Sequence, residues 1–239
     1  MSDSTSSATP VLLLPGLICD ARIWAPQVEG LRARFVVEAV DGYGEADSIG
    51  AMAETVLASA PERFIVVGHS MGGRVALEVI RRAPERVAGL GLVSTGIHLP
   101  KPGEAEGRFA LLARGVEQGM DALIDAWLPP MVHEPNRLTP GLMDMLWAMC
   151  SDAGLDTFER QMRALLARPE VESLLASIAC PTLVATGAHD AWASPAQHET
   201  ISAGIKGSVL SIIPDAGHMV PVERPDAMTQ ALARWLETV

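Results

Sequence analysis

Cysteine is scarce in this 239-residue chain. Cys19, Cys150 and Cys180 are odd in number, far apart, and free of any CxxC pair or Cys/His cluster. That spacing argues against a disulfide framework and a zinc site, so no metal is expected and a reducing cytoplasm is the expected compartment. The opening MSDSTSSATP is polar and lacks the basic start and apolar core of a signal peptide. Residues 1–9 are expected to be a disordered tail. Long hydrophobic runs are missing too: VLLLPGLIC is broken by Pro15-Gly16 and is far too short to span a bilayer. Positive charge is in deficit, with 18 Lys and Arg against 29 Asp and Glu and a net charge of -11. Nucleic acid and anionic membrane surfaces repel such a chain, and neither is expected as a partner. No internal repeat is present.

Apolar residues are plentiful, at 49% of the chain against 20% charged, enough for one globular domain with a sizeable core. Short strand-like runs at Val11 to Leu14, Phe35 to Val40, Phe64 to Val67 and Val87 to Ser94 alternate with helical patterns at Trp24 to Leu31, from Ile49, and after Ser70. Alternation of this kind implies βαβ units and a parallel sheet. From about Pro100 to Ser177 the strand signal stops. Helical stripes replace it: Phe109, Leu112 and Val116; Leu142, Met145, Leu146 and Met149; Leu155, Phe158, Met162, Leu165 and Leu166. Strands then resume at 181–187 and 208–214, with a closing helix that has Pro225 in its first turn.

The segment Gly68-His69-Ser70-Met71-Gly72 places a serine between two glycines where a strand turns into a helix. This is the G-x-S-x-G pattern in the context that gives it meaning. Glycines let the backbone pass close to its neighbours at a sharp corner, and the helix start offers unpaired N–H groups where negative charge can develop. A serine alcohol needs a base that a third group orients. His218, in PDAGHMV, follows the last strand, and Asp190, in TGAHDAW, follows the strand before it. Asp215 and Asp41 compete for the acid's role. Asp190 leads because the order Ser70, Asp190, His218 matches the serine-acid-histidine chain order known for this elbow. An oxyanion site requires two N–H groups, and Met71 and Leu17 are the candidates. Trp24, Trp147 and Trp192 are candidates to line the substrate pocket, and His69 and His189 are read as structural.

On GHSMGG, TGAHD and DAGHMVPVERP, and over residues 10 to 238, the chain resembles an α/β-hydrolase of the capped, esterase-like kind. The resemblance implies residues 10–98 and 178–239 as an α/β-hydrolase core, residues 99–177 as a helical cap, and a trimmed, mostly parallel sheet of about six strands with helices on both faces. It also implies Ser70 as nucleophile, Asp190 as acid, His218 as base, and Leu17 with Met71 as oxyanion donors. The departure is Pro15-Gly16 where many members have His-Gly. The expected function is hydrolysis of carboxylic esters of small, mostly apolar molecules through an acyl-enzyme, without cofactor. The alternatives are C–C bond hydrolysis of aromatic ring-cleavage products, or lactone or thioester hydrolysis by the same triad. The C–C alternative requires a cap arginine to hold a carboxylate, and Arg108, Arg114, Arg137, Arg160 and Arg163 lie in the insertion.

Overall fold

Six short runs rich in valine, leucine and isoleucine build one sheet in the computed structural model, which describes residues 9–239. They are β1 (Val11–Leu14), β2 (Val37–Ala39), β3 (Phe64–His69), β4 (Val87–Val93), β5 (Thr182–Gly187) and β6 (Val209–Ile213). The spatial order is β2-β1-β3-β4-β5-β6, and every neighbouring pair is parallel. The four inner strands are buried along their whole length, as their unbroken apolar runs require. The edge strands β2 and β6 are partly exposed. Residues 1–8 of the tail lie outside the described residues.

Between the early strands run α1 (Ala25–Leu31), α2 (Ile49–Ser59) and α3 (Met71–Arg82). Between β4 and β5 come α4 (Glu104–Gln118), α5 (Met120–Trp127) and α6 (Leu142–Leu166), with no strand among them. The chain closes with α7 (Pro195–Gly204), α8 (Val220–Glu223) and α9 (Pro225–Leu236). Among the described residues, no helix is long and apolar enough to cross a membrane.

The helical insertion departs from the expected stripes in three places. The stripes at Leu142 and Leu155 belong to one element, kinked at Gly154, whose φ of 76° and ψ of 167° are not helical. Helix α5 gave no readable stripe because it has barely two turns, yet it buries Leu123, Ile124 and Trp127. In α4, Leu112 is buried, but Phe109 and Val116 are 40% and 67% exposed. The contact surface is instead Gly115, where a Cβ would meet Leu155 at 2.6 Å, so α4 packs through a small residue. Phe109 is covered by the Arg163 guanidinium, 5.2 Å from its ring centre.

Because all six strands are parallel, their C-terminal ends lie along one edge. The turns after β1, β3, β5 and β6 therefore bring residues 15–19, 70, 190 and 218 to the same crevice.

Candidate active site

Ser70 is the turn between β3 and α3, with φ 54° and ψ -115°, a conformation that costs a non-glycine residue of order 1–3 kcal/mol. The flanking glycines make it possible. A Cβ at Gly68 would stand 2.1 Å from the Gly72 carbonyl oxygen, and one at Gly72 would stand 2.6 Å from the carbonyl oxygens of Leu14 and Pro15. The Thr95 hydroxyl donates to the Ser70 carbonyl at 2.7 Å, and the Ser70 N–H donates to Val93 at 2.8 Å. The strained corner is thus pinned from the neighbouring strand end.

The structure brings Ser70, His218 and Asp190 together. His218 Nε2 lies 2.9 Å from Ser70 Oγ, and His218 Nδ1 lies 2.9 and 3.1 Å from the two Asp190 oxygens. Against a carboxylate, Nδ1 carries the proton, which leaves Nε2 to accept from the serine hydroxyl. Asp190 is buried and also accepts from the N–H groups of Trp192 and Ala193 and from the Thr186 hydroxyl. Burial alone would raise its pKa. The His218 charge and hydrogen bond, with the two backbone donors, outweigh burial and hold the carboxyl well below the ordinary range. Asp41 and Asp215 are exposed, and Asp215 faces Arg224 at 4.0 Å rather than the imidazole.

The turn after β1 is held from three sides. The Tyr43 hydroxyl donates to the Pro15 carbonyl at 2.8 Å, Trp24 Nε1 donates to the Leu14 carbonyl at 3.0 Å, and the Ile18 N–H donates to Gln161 of α6 at 2.7 Å. The N–H groups of Leu17 and Met71 have no acceptor among the described residues, and both residues line the same pocket as Ser70. Pro15-Gly16 makes this turn against the His69 ring, from which a Cβ on Gly16 would stand 3.1 Å away.

That pocket encloses about 660 Å³. Ser70, His218, Met71 and Leu17 form its floor, and Trp127, Met131, Phe158 and Leu165 of the insertion form its roof. Of the three tryptophans expected to line it, Trp192 does. Trp24 does not, because it is fully buried beneath the β1 turn with its indole N–H spent on Leu14. Trp147 packs half-buried against the core instead of facing the cavity. Trp127 takes the position that sequence reasoning had assigned to other tryptophans.

Two further features escaped the sequence. Buried Glu223, in VPVERP, accepts from the N–H groups of Gly217, Met219 and His133 and from Asn136 Nδ2 at 2.8–3.0 Å. One carboxylate thereby ties the His218 loop to the insertion. Arg168, which pairs with Glu104 beside Arg108, and Arg74, which pairs with no carboxylate, also line the pocket. His133, His189 and Asp215 bring possible metal-ligand atoms within 4.8 Å of one another, but outside the pocket lining. The stacked His133 and His189 rings lie 3.9 Å apart. All three cysteines are free.

The model of the alpha/beta hydrolase family matches residues 11–231. The chain is 32% identical over 252 residues to the dihydrolipoyllysine-residue acetyltransferase component of acetoin cleaving system of Pseudomonas putida, covering 95% of this chain and 63% of that protein. It thus spans less than two thirds of that relative. It is 28% identical over 244 residues to the pimeloyl-[acyl-carrier protein] methyl ester esterase of Pectobacterium carotovorum subsp. carotovorum, covering 93% of this chain and 92% of that one. Among solved structures it is similar to a thermophilic esterase from Thermogutta terrifontis, solved with malate bound. That match has a TM-score of 0.87 and 29% identity, covering 97% of this chain and 90% of that one.

Proposed function

From a chain that belongs to the alpha/beta hydrolase family, we propose a serine hydrolase that cleaves carboxylic esters of small molecules through an acyl-enzyme. The hydrogen-bond chain Asp190–His218–Ser70, beside two N–H groups without an acceptor among the described residues and at the floor of the pocket, carries this proposal. The ester-cleaving names of the two similar proteins, a methyl ester esterase and a thermophilic esterase, support the bond type.

Ser70 Oγ attacks the acyl carbon as its proton passes to His218 Nε2, 2.9 Å away. The carbonyl oxygen becomes an oxyanion and receives the N–H groups of Leu17 and Met71, the latter at the positive end of α3. Asp190 keeps the imidazole in its Nδ1–H tautomer and stabilises the imidazolium; it does not take the proton itself. The imidazolium gives the proton to the departing alkoxide, and the alcohol leaves. Water then loses a proton to His218 and attacks the acyl carbon; the imidazolium returns that proton to Ser70 Oγ as the acyl–oxygen bond breaks, releasing the acid and the free enzyme. Every proton in this cycle passes through Nε2, and no cofactor is needed. Three free cysteines support a reducing cytoplasm as its setting.

A pocket roofed by Trp127, Met131, Phe158 and Leu165 gains about 0.8 kcal/mol per buried CH₂ until it is full, after which added methylenes clash. Activity on p-nitrophenyl esters is expected to peak near C2 to C6, fall beyond about C8, and show no activation at an oil–water interface. Peak activity on palmitate esters contradicts the proposal.

A further inference from the structure

The proposed ester hydrolysis leaves one wall of the pocket unexplained. In a protein of net charge -11, the lining carries Arg74, Arg108, Arg168 and the exposed Lys101 against one carboxylate, Glu104. Arg74 and Arg168 are 4% and 6% exposed, and the Arg108 side chain is 19% exposed. Buried charge on this scale is unfavourable unless it is paired.

The pairing is incomplete. Arg168 spends four of its five N–H donors: it grips both Glu104 oxygens at 2.6 and 2.7 Å and donates to the carbonyls of His98 and Leu165. Glu104 is thereby consumed. Arg108 reaches it through Nε alone, at 3.1 Å, and its Nη groups have no acceptor among the described residues. Arg74 has no carboxylate at all. It donates to the carbonyls of His98 and Pro169, the first shared with Arg168, so two guanidiniums converge on one neutral oxygen. Glu104, Glu172 and Glu170 lie in its field, but none hydrogen-bonds or ion-pairs with it, and Glu170 and Glu172 are exposed. Burial first, then the Arg168 charge, lower the Arg74 pKa from 12.5 to about 9, so the group is cationic at neutral pH and unfavourably placed without a counter-ion.

The geometry points to an anion subsite: we propose that Arg74 and Arg108 hold a carboxylate on the substrate while its ester lies at Ser70. This rests on the ester-hydrolase proposal and narrows it to esters whose acyl chain ends in a carboxylate. Arg74 lies in the first turn of α3, four residues beyond Ser70 in the chain, and both side chains line the same pocket. The Arg168–Glu104 pair acts one step removed: it positions Arg108 and keeps Glu104 from repelling the ligand. Of the five insertion arginines weighed from the sequence, Arg108 lines the pocket; so do Arg168, a sixth in the insertion, and Arg74 of α3, which the sequence did not single out.

The test compares the mono-p-nitrophenyl ester of glutaric acid with p-nitrophenyl 5-methylhexanoate, in which an isopropyl group replaces the carboxylate at equal size. The expected kcat/KM ratio favours the anionic ester by roughly 10- to 100-fold, the worth of one or two charge-assisted hydrogen bonds, and the difference lies mainly in KM. Arg108→Gln and Arg74→Gln each bring the ratio toward one, and Arg108→Lys restores part of it. A wild-type ratio near one overturns the proposal, as does a ratio that both glutamine variants leave unchanged. If Arg74→Gln fails to fold, the partly exposed Arg108 carries the test alone. Thermal-shift binding of free glutarate, lost in Arg108→Gln, reads the subsite without turnover. Glutarate binding without hydrolysis of either ester sinks the ester-hydrolase proposal and leaves the subsite standing. Hydrolysis of both esters at equal rates, without glutarate binding, does the reverse.

Discussion

The ring of His69 donates through Nε2 to the main-chain oxygen of His218 at 2.9 Å, so the residue beneath the serine fixes the loop that carries His218. Carbonyl oxygens only accept, and this assigns the proton to Nε2. Burial, followed by the charge of His218, lowers the His69 pKa to about 3, which keeps the ring neutral at any working pH. His69 touches no substrate and acts through position. His69→Phe fills the same space without the donor and is expected to lower kcat roughly 10-fold with little change in KM. Equal losses in kcat and stability, or a change in KM alone, contradict a positioning role.

Asp190→Asn is expected to reduce kcat by about three to four orders of magnitude, because asparagine offers the imidazole the wrong tautomer and no counter-charge. Asp215→Asn and Asp41→Asn are expected to stay within a few-fold of the parent, since both side chains lie in solvent away from His218. Steady-state kinetics on one ester ranks the three. A larger loss from Asp215→Asn assigns the acid elsewhere.

Glu223→Gln keeps the size of the side chain but replaces one accepting oxygen with an NH₂ group that opposes N–H donors. With four donors converging on that carboxylate, the substitution is expected to cost roughly 2–4 kcal/mol, read as a lower urea midpoint. An unchanged midpoint shows that the hub holds nothing together.

The sheet, its edge and the triad were legible because each rests on a local signal: apolar runs too short for helices, glycines around one serine, and an acid and a histidine in loops after successive strands. The pocket wall was not legible, because lining a cavity is a property of packing. Trp24 follows the first turn closely enough to suggest the pocket, yet the carbonyl of Leu14 claims its N–H and buries it. Arg74 sits in a helix whose stripe reads as core, and its distinction is three-dimensional: it meets Arg168, 94 positions later. Glu223 was quoted for its motif, but its four donors come from two separate stretches of chain.

Acid should unfold the protein through its paired carboxyls. For Glu104, burial alone would raise the pKa, but the hydrogen bonds and charge of Arg168 lead the opposing causes and bring it from 4.5 to about 2. Asp190 moves in the same direction. A carboxyl with a lowered folded pKa binds fewer protons folded than unfolded. Its stabilisation is therefore complete above about pH 4.5 and is lost as pH falls toward about 2. Urea midpoints should be flat from pH 7 to about pH 5 and drop steeply below about pH 4, less steeply in Glu104→Gln. A midpoint that rises on acidification contradicts the sign.

The role of Ser70 has the most direct test, which is covalent labelling with a fluorophosphonate followed by peptide mass mapping. An activated serine attacks phosphorus as it does an acyl carbon, forming the O–P bond and expelling fluoride. The account predicts one adduct, on Ser70, and parallel loss of ester turnover. In Ser70→Ala, which should fold normally because it removes no core packing, it predicts no adduct and no turnover. An adduct on Ser94 or Ser194 instead, or hydrolysis that survives Ser70→Ala, contradicts it.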